Sequence, residues 1–139
     1  MSYDSQNIFA KILRGELPCI ALYEDHKTLA FMDIMPQTVG HSLIIPKEAA
    51  ETIFDLSPDG LVATILTTQK IAVAVKKAFD LRGAIIAQVN GKVAMQSVPH
   101  LHFHVIPRRE GEDMKMHATV MEDQEKLRQY AARIIAALE

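Results

Sequence analysis

The sequence predicts an α+β domain, and three observations carry that expectation. Short apolar runs bounded by turn residues fill residues 20–24, 28–32, 41–46, 84–89 and 101–106, as strands would. Helical periodicity with start or stop signals marks residues 8–14, 58–79 and a C-terminal stretch of about 120–138. In order these read helix, three strands, helix, two strands, helix, an α+β rather than an alternating pattern.

In the first helix Ile8, Phe9, Ile12 and Leu13 share helical spacing, and Gly15 stands where a short helix ends. The runs at 20–24 and 28–32 flank Glu24-Asp25-His26-Lys27, a hairpin turn, and the third strand stops at Pro46. Ser57-Pro58-Asp59 supplies a cap, a first-turn proline and an acid at the positive end of the second helix dipole. Its apolar residues form two stripes: Leu61, Ile65, Ala72, Val75 and Phe79, then Ala63, Ile71, Ala74 and Ala78. One sheet face leaves part of such a helix uncovered, which points to a subunit interface or to cover from the last helix. That last helix has a capping box at Thr119 and Glu122 and an apolar stripe of Leu127, Tyr130, Ala131, Ile134, Ile135 and Leu138. Residues 107–118 read as a charged surface loop, and the whole of 1–139 as one domain.

Composition removes several function classes. The 139 residues carry 15 Lys plus Arg against 17 Asp plus Glu, with no basic run suited to a nucleic-acid backbone. The apolar segment 61–79 contains Lys70, Lys76 and Lys77, so no membrane span is expected. A lone cysteine, Cys19, and a start without a signal-peptide pattern give a cytoplasmic expectation.

The chemistry concentrates in His100-Leu101-His102-Phe103-His104-Val105-Ile106, which holds three of the six histidines. In a strand this alternation puts all three imidazoles on one face and the apolar residues on the other. Half-exposed strand positions seldom choose histidine three times, which leaves metal ligation or nucleophilic catalysis. No Cys or carboxylate partner lies nearby in sequence. Residues 90–99 instead place Asn90, Gly91, Gln96 and Ser97 just before the triad, donors suited to phosphoryl oxygens, so catalysis is preferred.

These residues closely resemble the defining motif of the histidine-triad (HIT) family. Asn7-Ile8-Phe9-Ala10-Lys11-Ile12, Gly15-Glu16-Leu17-Pro18, Ala30-Phe31-Met32-Asp33-Ile34, Pro36-Gln37, Gly40-His41, Ile45-Pro46-Lys47 and Gln96-Ser97-Val98 extend the likeness over residues 7–109, to the Hint branch. The resemblance implies a five-stranded antiparallel sheet joined to its twin across a homodimer. It implies a hydrolase or transferase acting on a small purine nucleotide through a nucleotidyl-histidine intermediate, most simply a nucleoside phosphoramidase releasing AMP or GMP. His102 matches the nucleophile and His100 an orienting group. His104 and Ser97 match phosphate and leaving-group contacts, and His41 a supporting histidine. Asn90 and Gln96 match the phosphate pocket and Asp33 the acid on the ribose hydroxyls, while Phe9, Leu17, Phe31 and Ile34 match walls of the base pocket. Some bacterial relatives hold structural zinc at positions that here are Asn7, Ala10 and Ala49, so neither metal nor other cofactor is expected. The alternatives are a Fhit-like dinucleoside polyphosphate hydrolase and a non-catalytic nucleotide- or metal-binding module. His26 and His117 read as exposed and uninvolved.

Overall fold

The computed structural model describes residues 2–113 and 120–138. Helix α1 (Ile8–Leu13) is capped by Asn7, whose Oδ1 accepts from the Ala10 N–H at 2.9 Å. Strands β1 (Ala21–Glu24) and β2 (Thr28–Met32) form the expected hairpin, closed by Asp25, whose Oδ1 accepts from the backbone N–H groups of Lys27 and Thr28. Strand β3 (Ser42–Pro46) follows, then α2 (Pro58–Phe79), whose cap Ser57 accepts from the Gly60 N–H. Strands β4 (Gly83–Ala87) and β5 (Phe103–Arg108) flank a 3-10 turn at Lys92–Ala94, and α3 (Gln124–Ala137) completes the described chain.

The strands form one antiparallel sheet in the order β1-β2-β3-β5-β4. β2 and β3 are buried along their full length because both sheet faces are covered. On one face Ala30, Met32, Ile44, Phe103 and Val105 meet Ile71, Ala74 and Val75 of α2 and Leu127, Ala131 and Ile134 of α3. On the other, Leu29, Phe31, Leu43 and Ile45 pack beneath Phe9, with Ile12, Leu13 and Val98 at the margin. The period of two along each strand thus feeds two separate cores.

Three expectations need correcting. Strand β5 begins two residues later than expected, because the Leu101 N–H pairs with the Ala50 carbonyl and the His100 carbonyl takes a side-chain proton from His102. The cap of α3 is Asp123, accepting from the Lys126 N–H, while Thr119 and His117 lie outside the described residues. The buried side of α2 is not made of the two apolar stripes alone: Thr64, Thr67 and Thr68 are buried beside Ile71, Ala74 and Val75, and Ile65 of the first stripe is exposed. Those hydroxyls tolerate burial because each has a partner: Thr67 with Thr28 Oγ1 at 2.8 Å, Thr64 on the Gly60 carbonyl and Thr68 on the Thr64 carbonyl. Val62, Ile65, Leu66 and Val73 consequently point outward, all more than 40% exposed. Among the described residues no helix is long and apolar enough to cross a membrane.

The segment from Asp33 to His41, between β2 and β3, is an ordered loop. Asp33 N–H donates to the His41 carbonyl, His41 N–H to the Thr38 carbonyl, and Thr38 Oγ1 to the Pro107 carbonyl. Gly40 is required there: its φ is +97°, and a Cβ would lie 2.9 Å from the Phe79 ring. Arg109 donates to the Val39 carbonyl, and the Glu122 N–H ahead of α3 donates to the Ile34 carbonyl.

Candidate active site

His100 and His102 precede β5 and His104 lies within it, yet the alternation survives. The His102 and His104 rings sit 5.0 Å apart, and Phe9 meets the edges of His102 at 4.9 Å and His100 at 6.4 Å. Carbonyl contacts fix the ring protons, since a carbonyl can only accept. His100 Nε2 is 2.8 Å from the Pro46 carbonyl and carries a proton, and its Nδ1 faces the Tyr3 hydroxyl at 2.5 Å. His102 Nδ1 donates to the His100 carbonyl at 2.7 Å, which leaves the Nε2 lone pair for attack. Burial pushes the pKa of both rings below the usual histidine value, opposed at each by its carbonyl bond, so both are neutral at neutral pH.

A second relay supports His104. The Gln37 N–H donates to His41 Nδ1 at 3.0 Å, so neutral His41 carries its proton on Nε2, 2.9 Å from His104 Nδ1. His104 therefore accepts at Nδ1 and offers an Nε2–H donor. Burial, with the neighbouring histidines adding like-charge repulsion, lowers His41 to about 3 and His104 to about 4. Asp33 Oδ2 lies 3.4 Å from His41 Nε2. This is a contact to a neutral ring and not an ion pair, and burial raises the Asp33 carboxyl to about 6 against the opposing Met35 N–H bond.

Asp33, His41 and His104 bring three possible ligand atoms within 4.8 Å of one another. Metal ligation by His41 Nε2 would require that nitrogen to lose its proton while Nδ1 still faces an N–H donor, which a neutral imidazole cannot satisfy. The arrangement suits a proton relay better than a cation.

The loop before the triad is braced from within. Both ends of the buried Gln96 amide are engaged: Oε1 accepts from the Gly91 N–H, and Nε2 donates to the Glu51 and Val98 carbonyls. The Val98 carbonyl also accepts from the His100 N–H, so Gln96 reaches the triad through the backbone. Asn90 Oδ1 accepts from Ile53 N–H and Gln88 Nε2, and its Nδ2 donates to Gln88 Oε1. Ser97 is exposed. Phe9 and Phe31 stack edge-on at 5.4 Å beneath the site, while Leu17 and Ile34 are 38% and 40% exposed and stand beyond that core. His26 is exposed, as expected. The sequence reading missed Tyr3, which touches a triad ring 97 positions away with no local signal, and the backbone of Gln37, whose role depends on the loop fold. A groove of about 780 Å³ lies elsewhere, along α2 between Tyr23, Leu66, Val73 and Leu138.

A five-stranded antiparallel sheet whose three alternating histidines are held in fixed tautomers by backbone carbonyls, a tyrosine hydroxyl and a fourth histidine defines a histidine-triad domain. The chain belongs to the HIT family: the model for the HIT domain matches residues 14–111. It is 40% identical over 101 residues to an adenosine 5'-monophosphoramidase of Schizosaccharomyces pombe, a match covering 73% of each chain. Among solved structures it resembles a Hit-like protein of Bartonella henselae (TM-score 0.92, 45% identity, 99% of this chain and all of that one). It also resembles a zinc-bound histidine triad family protein of Mycobacterium smegmatis (TM-score 0.85, 33% identity, 95% and 92% covered).

Proposed function

We propose that this nucleotide hydrolase cleaves the P–N bond of purine nucleoside phosphoramidates through a covalent nucleotidyl-His102 intermediate. The observation that carries the reading is the His102 Nδ1–H bond to the His100 carbonyl, which presents Nε2 unprotonated. Family membership and the monophosphoramidase relative support it. His102 Nε2 attacks the α-phosphorus as the P–N bond to the amine breaks. The departing nitrogen takes a proton along a route through Ser97 backed by the His104 Nε2–H. Water then attacks the phosphorus, giving its proton back to that route as the P–Nε2 bond breaks, and the nucleoside monophosphate leaves. Asp33 accepts from the ribose hydroxyls, Asn90 and the Gln96-braced loop line the phosphate, and Phe9, Leu17, Phe31 and Ile34 wall a flat purine. No metal or other cofactor enters these steps.

The test is a comparison of kcat/KM for adenosine phosphoramidate with that for diadenosine tri- and tetraphosphate. The phosphoramidate should be cleaved much faster, because protonating a poor amine leaving group is what this relay supplies. Equal or faster cleavage of the dinucleotides would replace this reading with the Fhit-like one.

The domain acts as a C₂ dimer. The outward Val62, Ile65, Leu66 and Val73 of α2 and the half-exposed Ile86 on edge strand β4 need cover, and two-fold dimers are the commonest oligomer. Light scattering at micromolar concentration should give twice the 15.5 kDa chain mass, and a monomer would refute the dimer.

A further inference from the structure

We infer that Tyr3 is a positioning residue for the histidine nucleophile, acting through His100; as a catalytic assignment this rests on the function proposed above. Tyr3 precedes the residues matched by the HIT domain, and its half-buried ring meets His100 edge-on at 5.7 Å.

The direction of each hydrogen bond in this cluster follows from its neighbours. Asn7 caps α1 with Oδ1, so its amide orientation is fixed and Nδ2 is the end that faces Tyr3. Nδ2 donates to the Asp4 carbonyl at 2.7 Å and to the Tyr3 hydroxyl at 2.9 Å. An amide N–H can only donate, so the Tyr3 oxygen accepts there, and its single proton goes to His100 Nδ1. His100 then holds its own proton on Nε2, against the Pro46 carbonyl of β3. The chain Asn7, Tyr3, His100, Pro46 runs one way only, from the cap of α1 to the end of β3.

The next link is the nucleophile itself, because the His100 carbonyl receives the His102 Nδ1 proton. A His100 ring pinned at both nitrogens holds that carbonyl in place and keeps the ring neutral beside a histidine that must bear positive charge in the nucleotidyl intermediate. Burial raises the Tyr3 hydroxyl above its usual value, so it remains a donor at neutral pH.

The experiment pairs kinetics with imidazole ¹⁵N spectra that report the protonated nitrogen of each ring. In the wild type His100 should show a proton on Nε2 and none on Nδ1. Tyr3→Phe keeps the ring and removes the donor. It should lower kcat on the order of ten-fold with KM within about two-fold, and the His100 signals should shift toward mixed tautomers or the doubly protonated ring. Asn7→Asp is the second variant: aspartate still caps α1, but a carboxylate draws the Tyr3 proton away from His100. It should reproduce the kcat loss and the spectral change. A wild-type His100 protonated on Nδ1, or variants with unchanged kcat and unchanged His100 signals, would overturn the inference. If the wild type lacks phosphoramidase turnover, the proposed function fails and the spectra alone decide the link from Tyr3 to His100.

Discussion

Replacing His102 with alanine should reduce turnover of adenosine phosphoramidate by roughly three or more orders of magnitude while leaving the fold and nucleotide affinity in place. The expectation rests on the lone pair at Nε2, since the other ring nitrogen is engaged by the His100 carbonyl and no other group in the cluster offers an equivalent atom. His41 Nε2 and His104 Nε2 both carry protons, and His100 Nδ1 faces the Tyr3 hydroxyl. The check is kcat on purified variant, a thermal melt showing that it remains folded, and calorimetric titration with AMP. Mass spectrometry of rapidly quenched wild type should show a nucleotidyl adduct that the variant lacks. Retention of more than a few per cent of wild-type kcat would dismiss His102 as the nucleophile.

The protein should lose stability steeply on mild acidification, the second large effect. His41 and His104 remain neutral in the folded state down to about pH 3 and 4, whereas in the unfolded chain they take up protons near the ordinary histidine pKa of about 6.5. Their folded pKa values are depressed, so the stability they contribute is present above pH 6.5 and is lost as pH falls toward 4. Asp33 has the opposite sign: its folded pKa, about 6, is raised, so the cost of burying its charge is relieved as pH falls through 6. Two protons taken up on unfolding against one released leaves about one, or about 1.4 kcal/mol lost per pH unit between pH 6 and 4. His100 and His102, shifted downward as well, steepen the loss. Urea denaturation at pH 7, 6 and 5 measures the slope. Asp33→Asn removes the opposing group and should make the slope steeper still. Stability that holds or rises down to pH 5 would show that these rings are not kept neutral by the fold.

The sequence was most legible where local chemistry decides. Ser57-Pro58-Asp59 starts α2 as expected, and Asp25 closes the β1–β2 turn, because caps and turns need only neighbours. The triad was legible because a period of two is a property of any extended chain. The buried side of α2 was only partly so, since a threonine counts as polar until a partner hydroxyl such as that of Thr28, 39 positions away, is known. The start of β5 next to His102 was misplaced for a related reason: the His102 side chain, just ahead of the strand, occupies the His100 carbonyl that would otherwise extend the ladder. The tautomer relays lay beyond sequence reading altogether. They depend on single donors, Tyr3 and the Gln37 N–H, brought in by tertiary folding.

The loop from Asp33 to His41 is fastened from behind at points far apart in the chain. The Glu122 N–H holds Ile34, Arg109 holds Val39, and Gly40 is wedged on Phe79, which meets Tyr130 edge-on and carries the Arg133 guanidinium 4.5 Å above its ring. Releasing the loop therefore means parting it from the approach to α3 and from the seam between α2 and α3. It should open as one cooperative unit with that seam, its amides exchanging with solvent as slowly as those of the C-terminal helix rather than as fast as those of a surface loop. The groups proposed to grip the ribose and to back the leaving-group donor are thus as durable as the docking of α3.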